Sequence, residues 1–299
     1  MVGEAAALGS ALLWALSNIL MGSQVGRMPV VVISALRALF GAAFLLAVAA
    51  LLLVSGAARA PGATAALGLA GSGVLGLGLG DTAYIRSLRH IGVSRAFPVS
   101  MATYPLLTFV LAVALIGEAV TPPVAAGAAL VVAGVILVVL GGRPPGAESE
   151  PTRSRREVWL GTALVLTAAL LWAFASVWLR AAADGVQPAV AQAIRLPVAA
   201  IVTAGLARGA GHALWSPRYG RRGLLALVLT GVVGTGVGSM LFVLAVQRAG
   251  AAKTAVLSST APLFALPLAA LLLDERLSGR VIVGTLLSIL GVWLVVAPG

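Results

Sequence analysis

The sequence predicts an all-α polytopic membrane protein in which ten transmembrane helices form a five-plus-five inverted repeat. Three observations carry this prediction. First, 60% of the 299 residues are hydrophobic and 10% are charged, whereas a soluble domain is about 45–50% apolar and about 25% charged. Second, the apolar residues fall in runs of about 20, the length with which a helix spans the hydrocarbon core of a bilayer. Third, the second half of the chain repeats the first.

The composition also argues against several other classes of protein. Twenty Lys and Arg and nine Asp and Glu are too few to cover the water-facing surface of a soluble enzyme. The absence of cysteine excludes disulfides, thiolate metal sites and cysteine nucleophiles. The net charge of +11 lies mostly in short loops, which is typical of a membrane topology signal. We therefore expect the basic residues to meet the lipid bilayer and not nucleic acid.

Apolar runs define ten spans in order along the chain. The first five lie at 5–22, 31–54, 64–85, 96–116 and 122–140, and the second five lie at 159–179, 188–207, 223–246, 254–273 and 279–297. Glu4 and the lack of Lys or Arg before the first run argue against a secretory signal peptide there. The connection 141–158 carries Pro, Gly and mixed charge, which is typical of a mobile linker.

The second half repeats the first across this linker. At a shift of 158 residues, which becomes 157 in the later part, the matched pairs include Trp14 with Trp172, Arg37 with Arg195, Tyr84 with Phe242, Pro105 with Pro262 and Glu118 with Glu275. An Ala- and Gly-rich composition alone would not align Trp, Arg, Pro and Glu in one register. The repeat predicts five-helix units at 1–140 and 159–299, separated by the charged linker 141–158. Because five is odd, the second unit enters the membrane from the opposite side, which makes the repeat inverted and favours a site between the halves near the midplane.

The charges of the connections predict the orientation. The connections after spans 1, 3, 5, 7 and 9, together with Arg280 at the start of the tenth span, carry 14 of the 20 Lys and Arg, and the opposite side carries four. Cytoplasmic loops of membrane proteins are rich in Lys and Arg. We therefore expect the linker to be cytoplasmic and both termini to be outside, in a bacterial inner membrane.

The ends of the two halves carry a shared motif. From Pro105 and from Pro262, each half reads Pro, an apolar run, Glu, then Thr or Ser, then G-x6-G. With the duplication, this pattern is similar to the EamA-type repeat of the drug/metabolite transporter superfamily over roughly residues 5–297. The resemblance implies a ten-helix transporter of small metabolites with a central cavity lined by helices 1, 3, 4, 6, 8 and 9. Members carry amino acids, purines, sugars and drugs, and the aromatic amino-acid exporter branch is one alternative among them.

Polar and aromatic side chains inside the spans form the candidate substrate cavity. Trp14, Ser17 and Asn18 share one helical face, and Trp172 and Ser176 repeat part of that face in the second half. Further polar residues lie near two predicted helix-breaking prolines, Pro105 and Pro262. The predicted cavity set is Trp14, Ser17, Asn18, Tyr84, Ser100, Thr103, Tyr104, Trp172, Ser176, Phe242, Ser258, Ser259 and Thr260. Packing between helices is the alternative for each of these side chains.

Charged side chains inside the spans are the candidates for coupling or charge pairing, because an unpaired charge in a membrane is costly. Asp81 is predicted either to pair with an arginine such as Arg86 or to carry protons. Arg37 and Arg195 are predicted to find helix-end carbonyls or acidic partners, or to hold an anionic substrate.

Two matched acids have a different setting from Asp81. Glu118 and Glu275 each end a span three residues before a hydroxyl residue and face the positive end of a helix dipole, so capping is favoured over proton relay. The two histidines, His90 and His212, lie in connections and make no metal set.

These observations predict a secondary transporter that moves small metabolites by alternating access, with amino-acid export as the specific expectation. We expect no catalytic residue, no metal and no cofactor. The alternatives are a passive pore for small solutes and a membrane-embedded enzyme that acts on lipid-linked substrates. A carrier saturates and shows counterflow, whereas a pore does not.

Overall fold

The computed structural model describes residues 1–22, 24, 27–141, 154–216, 219–264 and 279–296. In this part of the chain every regular element is a helix and no β-strand occurs. Most of the predicted linker lies outside the described residues, as does Glu275.

The described helices lie in the order of the predicted spans, and residues 265–273 of the predicted ninth span lie outside the described residues. In the first half they are α1 (Val2–Gly22), α2 (Val30–Val54), α3 (Ala63–Gly73), α4 (Asp81–Ile91), α5 (Val93–Ile116) and α6 (Pro122–Gly141). In the second half they are α7 (Arg155–Ala182), α8 (Pro188–Gly209), α9 (Gly220–Leu229), α10 (Ser239–Ala249), α11 (Ala251–Ser258) and α12 (Gly279–Val296).

Seven helical stretches among the described residues are long and apolar enough to cross a membrane. They are Val30–Val54, Ala63–Ile91, Val99–Ile116, Arg155–Ala182, Pro188–Gly209, Gly220–Ala249 and Gly279–Val296, and Pro122–Leu137 is a shorter apolar helix. Such lengths and compositions are those of a multi-pass membrane protein.

Two of these stretches are α-helical at both ends and π-helical in the middle. The π-helical segment Val74–Gly80 joins α3 to α4, and the segment Thr230–Gly238 joins α9 to α10. Hydroxyl groups follow each segment and satisfy carbonyls within it: Thr82 Oγ1 donates to the Gly78 carbonyl over 2.7 Å, and Ser239 Oγ donates to the carbonyls of Thr235 and Gly236. π-Helical turns are rare and are frequent at functional sites.

The two predicted helix-breaking prolines behave differently. Helix α5 continues through Pro105 without a break, which corrects the prediction for this residue. Interrupting a helix in lipid leaves several backbone groups without partners, whereas one proline removes a single N–H. Helix α11 ends at Ser258, and the chain becomes helical again just before Pro262, so an interruption does precede this proline.

The helices of the two halves pack reciprocally. Helix α1 packs on α10, on α11 and on the segment Thr230–Gly238, while α7 packs on α4, on α5 and on the segment Val74–Gly80. Helix α2 packs on α8, and α6 packs on α12. The first helix of each half is therefore surrounded by the third and fourth spans of the other half.

The G-x6-G motifs bring α6 and α12 into backbone contact. A Cβ atom added at Gly127 would lie 2.6 Å from the Gly291 carbonyl oxygen, and one added at Gly291 would lie 2.7 Å from that of Gly127. Small residues allow this close approach of helices in membranes.

We expect the substitution Gly127→Val to push α6 away from α12, because its Cβ would overlap the Gly291 carbonyl. Overpacking of this kind costs about 1–3 kcal/mol, which a thermal melt of the purified protein would detect. Gly205→Ala is the matched control, since nothing lies within 4 Å of a Cβ at that position in α8. An unchanged melting temperature for Gly127→Val would contradict the observed contact.

Candidate functional site

A cavity of about 160 Å³ lies between the two halves. Twelve of the residues selected from the sequence line it: Trp14, Asn18, Arg37, Asp81, Tyr84, Tyr104, Trp172, Ser176, Arg195, Phe242, Ser258 and Ser259. The structure thus brings together tryptophans, tyrosines and charged side chains that are up to 181 positions apart in the chain.

Each tryptophan of the matched pair reaches across to the other half. Trp14 Nε1 donates a hydrogen bond to the Gly234 carbonyl over 3.2 Å, and Trp172 Nε1 donates to Asp81 Oδ1 over 2.9 Å. A Cβ atom at Gly80 would lie 2.8 Å from Trp172 Cδ1. Glycine in the third span of one half therefore makes room for the indole of the other half.

Aromatic rings form two walls of the cavity. The ring centroids of Trp14 and Phe242 are 5.3 Å apart, and those of Tyr84 and Trp172 are 5.2 Å apart. Tyr104 meets Trp172 edge-on at 6.1 Å. These are favourable distances for aromatic pairs, and the walls present ring surface suited to a flat apolar group.

The hydroxyl groups of the second wall are paired with one another. Tyr104 Oη lies 3.0 Å from Ser176 Oγ, and the Ser176 hydroxyl also donates to the Trp172 carbonyl over 2.8 Å. These contacts hold α5 and α7 in register beside the cavity.

The charged side chains have different partners from those expected. Among the described residues, no carboxylate oxygen of Asp81 lies within 4.0 Å of an arginine nitrogen, and Arg86 is exposed. The predicted direct ion pair of Asp81 with an arginine is therefore not formed in this part of the chain. The indole of Trp172 contacts the carboxylate instead.

The two matched arginines differ in their surroundings. Arg195 is buried, and it donates from Nε to Ser72 Oγ and from Nη1 to Gln192 Oε1, each over 2.8 Å. Arg37 donates from Nη1 to Met21 Sδ over 2.9 Å, and its buried Nε has no hydrogen-bond partner.

Four of the predicted cavity residues do not line the cavity. Ser17 is buried in the interface and donates to the Thr230 carbonyl over 3.4 Å. Ser100 is buried in α5, Thr103 lies on α5 outside the cavity lining, and Thr260 donates to the Leu257 carbonyl over 2.6 Å. Ser17 and Thr260 therefore fit the alternative expectation, in which the side chain packs between helices and donates a hydrogen bond to a backbone carbonyl.

Eight further lining residues were not predicted from the sequence, and two of them, Thr235 and Ser239, carry hydroxyl groups. The eight are Met21, Gly76, Leu77, Ile85, Met101, Thr235, Ser239 and Ala261. Met21 lies three residues after Asn18, so extending the face of Trp14 and Asn18 by one turn would have found it. The other seven residues can be identified only from the tertiary contacts of the folded chain.

Glu118 caps a helix of the other half. Its carboxylate accepts hydrogen bonds from the backbone N–H groups of Ala251, over 3.0 Å, and Ala252, over 3.2 Å, at the start of α11. Gly250 precedes this helix with φ of +87°, and a side chain there would collide with Glu118 Oε1. A carboxylate at a helix N-terminus is stabilised by the unpaired N–H groups and the helix dipole.

We expect Glu118→Ala to destabilise the protein by about 1–3 kcal/mol, because two charge-assisted hydrogen bonds are lost and two N–H groups are left unpaired. Glu118→Gln keeps one acceptor oxygen, and its melting temperature is expected to lie between those of the wild-type protein and Glu118→Ala. Both melts and transport would be measured. If Glu118→Gln folds normally but loses transport driven by a pH gradient, Glu118 relays protons and is not merely a cap.

The sequence matches one family over both halves. Residues 1–140 and 159–297 each match the EamA-like transporter family. The chain belongs to this family. This EamA-like transporter is 28% identical over 235 residues to an uncharacterized transporter of Archaeoglobus fulgidus, in an alignment that covers 78% of this chain and 77% of the relative. A solved crystal structure superposes with a TM-score of 0.78 at 23% identity and covers 98% of this chain and 96% of its own.

The family and the name of the archaeal relative indicate a membrane transporter. Among the described residues of this EamA-like transporter, no group of three or more His, Asp or Glu is arranged to hold a metal ion.

Proposed function

We propose that this EamA-like transporter is a secondary carrier that moves a small metabolite across a bacterial inner membrane by alternating access, with amino-acid export as its activity. The cavity between the halves carries this proposal. Residues of both halves line it, and Trp14 and Trp172 each cross to the opposite half. Rocking one half against the other would expose such a cavity first to one side of the membrane and then to the other.

The proposed architecture is ten helices in two inverted five-helix units, 1–140 and 159–299, joined by the linker 141–158. The family matches both stretches separately. The reciprocal packing of α1 and α7 on the opposite half supports a pseudo-two-fold relation between the units. An inverted repeat of this kind supplies the two equivalent arrangements that alternating access requires.

The lining supports an amino acid with an aromatic side chain as the solute, and so the aromatic amino-acid exporter branch. The walls of Trp14 with Phe242 and of Trp172 with the two tyrosines suit a flat ring. Charges of both signs, from Asp81 and the two arginines, line the same cavity and are complementary to a zwitterion.

Reconstituted transport tests the proposal. The full chain in proteoliposomes would be assayed with a panel of amino acids, nucleosides and sugars, with and without a pH gradient. A carrier gives saturable uptake of at least one class and counterflow of the labelled solute. Flux that rises linearly with concentration and shows no counterflow would contradict the proposal and favour a pore.

The orientation is testable because the chain has no native cysteine. We expect Ser149→Cys, in the linker, to react with an impermeant thiol reagent only from the cytoplasmic side, because that side carries the excess of Lys and Arg. Ser55→Cys, exposed after α2, is the matched control and should react only from outside. The reverse pattern in both variants would invert the proposed topology.

A further inference from the structure

We propose that Arg37 binds a carboxylate of the transported solute, so that the cavity requires an anionic group on its ligand and does not require an amine. The inference rests on the proposed function in one respect, which is that the cavity between the halves is the transport site. It adds the chemical class that the site selects and the residue that selects it.

The charge of the lining points to an anion. Asp81, Arg37 and Arg195 line the cavity, which leaves one positive charge in excess. Neither guanidinium lies within 4.0 Å of a carboxylate among the described residues. Charges in the interior of a membrane protein are costly unless they are paired, and a solute with a carboxylate supplies the missing negative charge.

The two arginines are not equivalent, and this difference selects Arg37. The guanidinium of Arg195 has oxygen acceptors on Ser72 and Gln192, so these side chains position it and satisfy it. Arg37 has only Met21 Sδ as an acceptor among the described residues, and its Nε is buried without a partner. A thioether is a weak acceptor. Leaving a buried donor unsatisfied is costly, and the parallel N–H groups of a guanidinium fit the two oxygens of a carboxylate.

The negative side chain is already engaged. Asp81 accepts a hydrogen bond from Trp172 Nε1 over 2.9 Å. An ammonium group on the solute would therefore find a carboxylate that is partly satisfied, whereas a carboxylate would find a guanidinium that has no oxygen acceptor in the described part of the chain. The aromatic rings that line the same cavity provide the surface for the rest of the solute.

Three probes that share a phenyl ring separate the contribution of the carboxylate to binding from that of the amine. They are L-phenylalanine, with both charged groups, 3-phenylpropionate, with the carboxylate alone, and 2-phenylethylamine, with the amine alone. Binding to the purified full chain would be followed by tryptophan fluorescence, because Trp14 and Trp172 line the cavity. We expect both carboxylates to bind and the amine to bind at least about tenfold more weakly.

Variants of Arg37 identify the residue responsible. Arg37→Gln should weaken the binding of both carboxylates by at least about tenfold and should not weaken the binding of the amine, because a positive charge is removed. Arg37→Lys should have a smaller effect, because it keeps the charge and loses the paired N–H donors of the guanidinium. Arg86→Gln, on the exposed face of α4, is the control. If Arg37→Gln does not fold, Arg37→Lys still reports on the loss of the guanidinium fork.

Three results would each overturn the inference: equal binding of the amine and the acid, unchanged binding in the folded Arg37 variants, or failure of 3-phenylpropionate to bind. The proposed function fails in a different way. Carboxylates that bind through Arg37 but show no counterflow in proteoliposomes would preserve the anion site and reject the carrier.

Discussion

Replacing Trp172 by alanine should reduce counterflow by at least about tenfold. The substitution removes the hydrogen bond to Asp81 and the ring contacts with Tyr84 and Tyr104. Counterflow and thermal melting would be measured on the same purified variant.

Two further variants separate the contribution of the Trp172 N–H group to transport from that of its ring. Trp172→Phe keeps an aromatic ring, although a smaller one, and loses the N–H donor to Asp81. Trp14→Ala is the equivalent change in the other half, where the indole bonds a backbone carbonyl and contacts Phe242. In a packed core a Trp→Ala change costs about 3–5 kcal/mol, whereas water can replace a side chain that faces a cavity. Full transport in both alanine variants, or a large loss of melting temperature, would assign these tryptophans to packing.

Asp81→Asn should abolish accumulation driven by a pH gradient and leave counterflow intact. Asp81 is the acid that lines the cavity in the described part of the chain, and an amide of the same shape cannot carry a proton. The asparagine oxygen still accepts from Trp172 Nε1, so the local geometry is preserved. Accumulation would be measured with and without an imposed pH gradient.

Two results for the Asp81→Asn variant would contradict this expectation. If gradient-driven accumulation by Asp81→Asn equals that of the wild-type protein, the carboxylate is structural and serves to hold the indole. Loss of both accumulation and counterflow in a variant that melts normally would place Asp81 in solute binding.

Internal repetition made much of the candidate site predictable from the sequence. Trp14 and Trp172 match at a shift of 158 residues, and both line the cavity between the halves. The same register selected Arg37 and Arg195, which also line it. A repeat encodes which positions are equivalent, and equivalent positions in two packed halves meet near the axis that relates them.

The partners of these residues were not predictable in the same way. Asp81 contacts an indole 91 positions away, and Glu118 caps a helix that begins 133 positions later. Both contacts join different halves, so no local pattern of spacing reports them. Pro105 is a related example. The local preference of proline predicts a break in the helix, whereas the need to satisfy backbone groups in lipid keeps α5 continuous.

The π-helical segments make the directions of the cavity side chains depend on how the surrounding helix is wound. An α-helix turns about 100° per residue, and a π-helix closes each hydrogen-bonded ring one residue later. The segment Val74–Gly80 therefore sets the direction in which Asp81 and Tyr84 point after it. If the same residues were wound as an ordinary α-helix, each residue would turn the chain further, and both side chains would rotate away from Trp172. Surface loops tolerate length changes, whereas in the middle of this span the number of residues and their winding together set the direction of the cavity side chains.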